Sequence, residues 1–230
     1  MEGVVLVLCW SPKGGSGTSV VATGLAIVES RSATDRNNDA RTVIVDLAGD
    51  VPAILGIEDP LVGIAEWISD PTSFDIRTLI VDRETELGVL PRGRATLPES
   101  RSGAWSRLAA ELTNLSTSCC TIIVDAGRGP VPRELESVAD HRYIVVRPCY
   151  LALRRARLID HSSDAVIIVT EPDRALRQAD VARVLGLPIA ATLDISADIA
   201  RRVDAGIITS RPSTELIRAL TPVVSRWRDG

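Results

Sequence analysis

Lysine is almost missing from this 230-residue chain: Lys13 stands alone among 26 basic residues, the others being arginine. A compact ammonium on a flexible stem is not equivalent to a guanidinium, and phosphate contact is one task for which it is used. Lys13 is therefore read as a phosphate-type lysine. Cysteines are few as well. Cys9, Cys119, Cys120 and Cys149 show no C-x-x-C spacing, which excludes a zinc or redox motif of that kind and leaves small, reduced, buried thiols. No apolar run approaches the roughly 20 residues of a membrane-spanning helix. No basic leader precedes the first apolar run and no small-residue cleavage site follows it, so a cytoplasmic protein is expected. The net charge of −4 lacks the basic surplus that broad nucleic-acid binding needs, which argues against DNA as a partner. Arg154, Arg155 and Arg157, and Arg201 and Arg202, are read as solvated helix faces. There is no heptad, internal repeat or nucleophile triad. His141 and His161 lie outside every motif and are taken as surface or structural residues.

What is present is organised around Cys9-Trp10-Ser11-Pro12-Lys13-Gly14-Gly15-Ser16-Gly17-Thr18-Ser19. The apolar run Val4 to Leu8 precedes it and an apolar-periodic run, Val20 to Val28, follows. That order predicts buried strand, glycine-rich turn, then a helix beginning near Ser19. Three glycines in four positions let main-chain N–H groups converge, and the helix aims its positive end at the same point; such a nest suits phosphate. The phosphate-loop pattern G-x-x-x-x-G-K-[ST] is met at Gly17 and Ser19 only. Pro12 stands for its first glycine and Thr18 for its lysine.

A polar loop over Ser30 to Asp39 leads to a short strand, Thr42 to Val45, ending at Asp46. Strand, helix and strand make a βαβ unit, and ligands of such sheets gather at the carboxyl ends of the strands. Leu61 to Ile68 is expected as a short helix with Trp67 inward, Glu86 to Pro91 as a strand, and Arg92 to Gly103 as a loop of undecided role. Trp105 to Leu115 has helical spacing. Thr121 to Asp125 reads as a buried strand ending in an acid, with a turn over Ala126 to Pro130. Further strands are expected at Arg142 to Pro148, Asp164 to Thr170 and Leu187 to Leu193. Helices are expected from Tyr150, at Ala175 to Leu185, at Ser196 to Ala205 with Ser196 as cap, and over the C-terminal Thr214 to Trp227, broken by Pro222. The fold class is α/β: one domain, 1–230, with a mostly parallel sheet and helices on both faces.

Lys13-Gly14-Gly15-Ser16-Gly17-Thr18-Ser19 resembles the deviant Walker A motif of the ParA/MinD family, K-G-G-x-G-K-[ST], and Thr121 to Asp125 resembles its Walker B strand. Gly49-Asp50-Val51-Pro52-Ala53-Ile54-Leu55-Gly56 is similar to the G-D-V-A-x-x-L-G segment of the TadZ/CpaE branch. The resemblance implies a P-loop three-layer sandwich and a homodimer in which Lys13 reaches the partner's nucleotide. It also implies a phosphate site of Lys13 to Ser19, with Mg²⁺ held through water by Ser19, Asp46 and Asp125. The family's second lysine is replaced by Thr18, and the second acid of its D-x-D strand end by Ala48; Asp50 is the candidate substitute. Where relatives carry an Asn-Arg pair that touches the base, this chain has Glu171-Pro172. The expected result is weak or absent ATP and Mg²⁺ binding and impaired hydrolysis. The expected role is a dimeric localisation or scaffold factor with an unidentified partner in a pilus, secretion or septum machine, recruited to the pole or membrane. The alternative is an active ATP-dependent switch in partitioning or division-site placement.

Overall fold

Apolar runs bounded by turns make strands only where both faces are covered, and here they are. The computed structural model describes residues 5–35, 41–58, 60–72, 74–82, 87–99, 103–116, 120–171 and 175–227. Among them the strands are β1 (Leu6–Ser11), β2 (Arg41–Asp46), β3 (Val81–Asp82), β4 (Leu87–Leu90), β5 (Cys120–Arg128), β6 (His141–Val146), β7 (Ala165–Thr170) and β8 (Ile189–Asp194). They form one sheet in the order β3-β4-β2-β5-β1-β6-β7-β8. Seven strands run parallel; the two-residue β3 pairs antiparallel with β4 at the edge. β1 lies between β5 and β6, so the chain leaving β1 emerges where connections diverge to the two halves of the sheet, the usual ligand crevice of such folds.

Side chains alternate between two cores, as the period of a strand requires. Val7, Cys9, Ile44, Val89, Ile123, Val145 and Ile167 face one side. That side is covered by α1 (Thr18–Asp35), α2 (Val51–Ile54), α8 (Ala197–Asp204) and α9 (Thr214–Arg226). Leu6, Leu8, Val43, Val45, Ile122 and Val124 face the other, under α3 (Ile64–Ser69), α4 (Ala104–Ser116) and α5 (Arg133–Val138). Trp10, Ile144, Val146, Val166 and Ile168 continue that second side beneath α6 (Tyr150–Ala156) and α7 (Gln178–Leu185). α1 and α9 close tightly because Gly24 has no side chain. A Cβ there would lie 2.7 Å from Leu220 Cδ1 and 2.9 Å from Leu216 Cδ1.

Several boundaries differ from expectation. β1 runs on through Trp10 and Ser11, both buried, Trp10 in the core beneath α6 and α7. α1 continues to Asp35 where a loop is expected from Ser30: Ser30 and Ala33 are buried, and packing overrides the polar composition. Residues 36–39 of that expected loop lie outside the described residues, as do 100–102 of the Arg92–Gly103 loop. β5 extends past Asp125 to Arg128, so the first half of the expected turn is paired strand, Ser11 opposite Arg128. α9 passes through Pro222, whose exposed position lets the helix lose one hydrogen bond while Leu216, Leu220, Val223 and Val224 stay buried. Ser196 caps α8 as expected, its Oγ accepting from Ile199 N at 3.3 Å.

Candidate nucleotide site

The glycine-rich turn is fastened from within. Ser11 Oγ and Ser16 Oγ both donate to the Lys13 carbonyl at 2.7 Å. Lys13 N donates back to Ser11 Oγ at 3.2 Å. Gly15 and Gly17 take φ of 74° and 86°, a left-handed conformation that L side chains avoid. Nothing lies within 4 Å of a Cβ built on Gly14 or Gly15, so that side of the cradle faces open space. Gly17 O accepts from Val21 N at 2.9 Å and starts α1. Thr18 and Ser19 occupy its first turn, both buried. Lys13 reaches outward, Nζ standing 3.4 Å from the Gly14 carbonyl.

The carboxylates gather at the ends of β2 and β5. Asp46 is fully buried and serves the turn after its strand: Oδ1 accepts from Ala48 N at 3.0 Å and Gly49 N at 2.7 Å, and Oδ2 from Val51 N at 3.2 Å. Burial nevertheless outweighs those donors and pushes its carboxyl up to about 6. Asp125 sits opposite Asp46 in register. Its Oδ1 accepts from Gly127 N at 3.0 Å, while Oδ2 is buried with no hydrogen-bond partner among the described residues. Burial raises it to about 7; the nearby Ser19 hydroxyl lowers it and the Asp46 charge raises it. Ser19 Oγ also donates to Asp50 Oδ2 at 3.3 Å. The expected substitute acid thus stands beside Ser19. Ala48 faces the other turn instead: a Cβ added at Gly127 would lie 3.0 Å from the Ala48 Cβ.

These groups share a cleft of 790 Å³ with the glycine loop, within the size range of small-ligand sites. Lys13 to Ser19 and Asp50 line it; Asp46 and Asp125 lie behind its wall. Among the described residues no group of three or more His, Cys, Asp or Glu could by itself hold a metal ion. Mg²⁺ rarely asks for one, since it is held by one or two carboxylates together with water and substrate phosphates. A buried carboxylate oxygen without a partner, next to a serine hydroxyl, fits that donor set.

Sequence reasoning missed Arg92, Arg128, Arg147, Val203 and Asp204, which also line the cleft. No local pattern announces them, because they come from three separate strand ends and one helix end that converge there. Arg92 Nη1 donates to the Ala48 carbonyl at 3.1 Å, and Arg147 Nη1 to Glu171 Oε1 at 2.6 Å. Pro172, beside Glu171, lies outside the described residues. The histidines are structural: the His161 ring is 4.7 Å from Trp10, and His141 stacks at 6.3 Å with both Tyr143 and Trp227.

No family model matches the sequence, and no curated protein matches it significantly. Solved structures do match. A ParA family ATPase from Chlorobium tepidum TLS superposes with a TM-score of 0.77 at 19% identity, over 98% of this chain and 99% of that one. The MinC:MinD cell division protein complex of Aquifex aeolicus matches with a TM-score of 0.76 at 18% identity, over 99% and 97%. The septum site-determining protein MinD of Pyrococcus horikoshii OT3, complexed with Mg-ADP, matches with a TM-score of 0.76 at 13% identity, over 97% and 95%. At such identities the shared property is the fold: this chain folds as these ParA and MinD structures do over nearly its whole length.

Proposed function

We propose that this protein is a ParA/MinD-type nucleotide-binding homodimer of the TadZ/CpaE kind, with weakened ATP·Mg²⁺ binding and impaired hydrolysis. It works as a localisation or scaffold factor for a pilus, secretion or septum assembly through a protein partner. The observation that carries the reading is the pairing of an intact main-chain cradle at Gly14 to Thr18 with Thr18 and Ala48 where charge is needed. In this reading the cradle and Ser19 bind phosphate, and Lys13 reaches across to the partner copy. Ser19 and Asp125 would hold Mg²⁺, with Asp46 fixing the turn beside them. Bound Mg²⁺ neutralises phosphate charge. The pole or membrane is reached through the partner; no helix among the described residues is long and apolar enough to cross a membrane.

A charged hydrogen bond contributes about 1.5–3 kcal/mol, so its loss at Thr18 weakens binding by roughly ten- to hundredfold. The Ala48 methyl can neither orient water nor accept a proton, which acts on turnover instead. Titrating ATP and Mg²⁺ into the purified protein, with Thr18→Lys alongside, checks both points. We expect weak binding, little or no phosphate release, and a gain of about tenfold or more in the variant. Tight binding in the unaltered protein, with no gain in the variant, overturns the reading of Thr18. The contact of Ser19 with Asp50 favours a second reading, an active switch with Asp50 as the replacement acid. Measurable turnover abolished by Asp50→Asn would establish it.

A further inference from the structure

The cleft has regained, from elsewhere in the fold, the positive charge its loop lacks. Its charged lining is Lys13, Arg92, Arg128 and Arg147 against Asp50 and Asp204, four cations to two carboxylates, in a chain whose net charge is −4. Two of these arginines bracket the glycine loop. β5 and β6 are the neighbours of β1 on either side. Arg128 ends β5 directly opposite Ser11. Arg147 follows the last residue of β6, whose Ile144 pairs with Trp10. Arg92 is engaged at Ala48, but these two keep donors in reserve. Arg128 is exposed and has no hydrogen-bond or ion-pair partner among the described residues. Arg147 is held at Nη1 by Glu171, and its side chain, which lines the cleft, stays 34% exposed. A guanidinium anchored at one nitrogen and partly exposed to the cleft is preorganised for a planar oxyanion contact, and a phosphate accepts such a fork well.

We infer that Arg128 and Arg147 form a phosphate-contacting pair, gripping a polyphosphate chain from both sides of the loop in place of the charge absent at Thr18. The ligand class is a polyphosphate ester. That it is a nucleotide rests on the reading above, whereas the charge it must carry follows from the cleft. Recognition then follows phosphate count more than base.

Calorimetric titration of the full chain with inorganic tripolyphosphate and with ATP, each with and without Mg²⁺, tests this. The variants are Arg128→Gln, Arg147→Gln, the pair together, and Arg147→Gln with Thr18→Lys; Arg107→Gln, exposed on α4, is the control. Thermal unfolding of each variant checks folding, and replacing the Arg128 side chain removes no hydrogen bond or ion pair among the described residues. Each single change is expected to weaken tripolyphosphate and ATP by about tenfold or more, and the pair by more than either. Thr18→Lys is expected to restore affinity in the Arg147→Gln background, and Arg107→Gln to change nothing. Unaltered affinity in folded Arg128→Gln and Arg147→Gln proteins, while the parent binds ATP, overturns the inference and leaves the nucleotide reading standing. Arginine-dependent tripolyphosphate binding without ATP binding does the reverse. A parent that binds neither ligand overturns both.

Discussion

At the scale of single residues, Asp125 is the most informative acid. Burial first, and then the Asp46 charge, favour its protonated form, with the Ser19 hydroxyl opposing them. Its carboxyl titrates near about 7 in the folded chain and near about 4 when unfolded. Between those values the folded state holds the proton more tightly, so stability falls as pH rises through that window and levels off above it. Asp46, pushed up to about 6, acts in the same direction. Urea unfolding of the Mg²⁺-free protein from about pH 4 to about pH 8 should show that decline. Asp125→Asn should decline less steeply and be the more stable form at the alkaline end. A parallel pH profile for the two proteins would show that the buried oxygen carries no such penalty. A Mg²⁺ held beside Asp125 would favour its ionised form and so oppose the proton.

At the scale of elements, α3 anchors the chain that brings Arg92 to the cleft. Its first N–H groups are satisfied by the chain leaving β4: Ile64 N donates to Pro91 O and Ala65 N to Arg92 O, each at 2.9 Å. Glu66 completes the attachment. Its Oε2 accepts from Gly63 N at 2.8 Å, and its Oε1 from Arg94 N at 2.9 Å and Ala95 N at 2.6 Å. The segment after Arg92, whose role the sequence leaves open, is therefore latched to α3 at its beginning, and Arg92 is held facing Ala48. Partial burial raises the Glu66 carboxyl, but the N–H donors of Ala95, Gly63 and Arg94 outweigh it and hold it below the ordinary range. For an acid so lowered, the stabilisation is complete above the ordinary pKa and is lost as pH falls through the lowered one. Glu66→Ala should accelerate amide exchange at Arg94 and Ala95 at neutral pH, and the unaltered protein should do the same only on acidification below about pH 4. Protection unchanged in the variant would show that the latch lies elsewhere.

At the scale of the whole molecule, α2 and α8 belong to strands at positions far apart in the sheet, yet they meet on the α1 side. The contact is glycine on glycine. Gly56 and Gly206 have φ of 64° and 63°, and a Cβ on either would lie 2.6 Å from main-chain atoms of the other. That closeness brings Val203 and Asp204 into the cleft opposite Ala53 and Ile54. Neither backbone can yield as a flexible side chain would. Gly206→Ala should destabilise the domain by about 2 kcal/mol or more, combining left-handed strain with steric separation of the two turns. For a chain of this size that corresponds to a melting temperature lower by roughly 4–8 °C. A calorimetric melt superimposable on the parent's would mean that the contact is looser than its geometry.

The sequence by itself determined the parallel α/β sheet, the position of the glycine loop and the order of its acids, because these depend on local apolar periodicity and on glycines whose positive φ a turn requires. It also placed Ser19, Asp46 and Asp125 at strand and helix ends that face one crevice. It could not extend α1 through Ser30, nor reveal β3: the first is decided by burial against distant strands, and two residues are too few to show a period. Only the tertiary structure turned Asp50 toward Ser19, left one oxygen of Asp125 without a partner, and drew Arg92, Arg128 and Arg147 into the loop's cleft. Those arginines lie far apart in the chain, and charges so separated become neighbours only when the strands that carry them are set side by side.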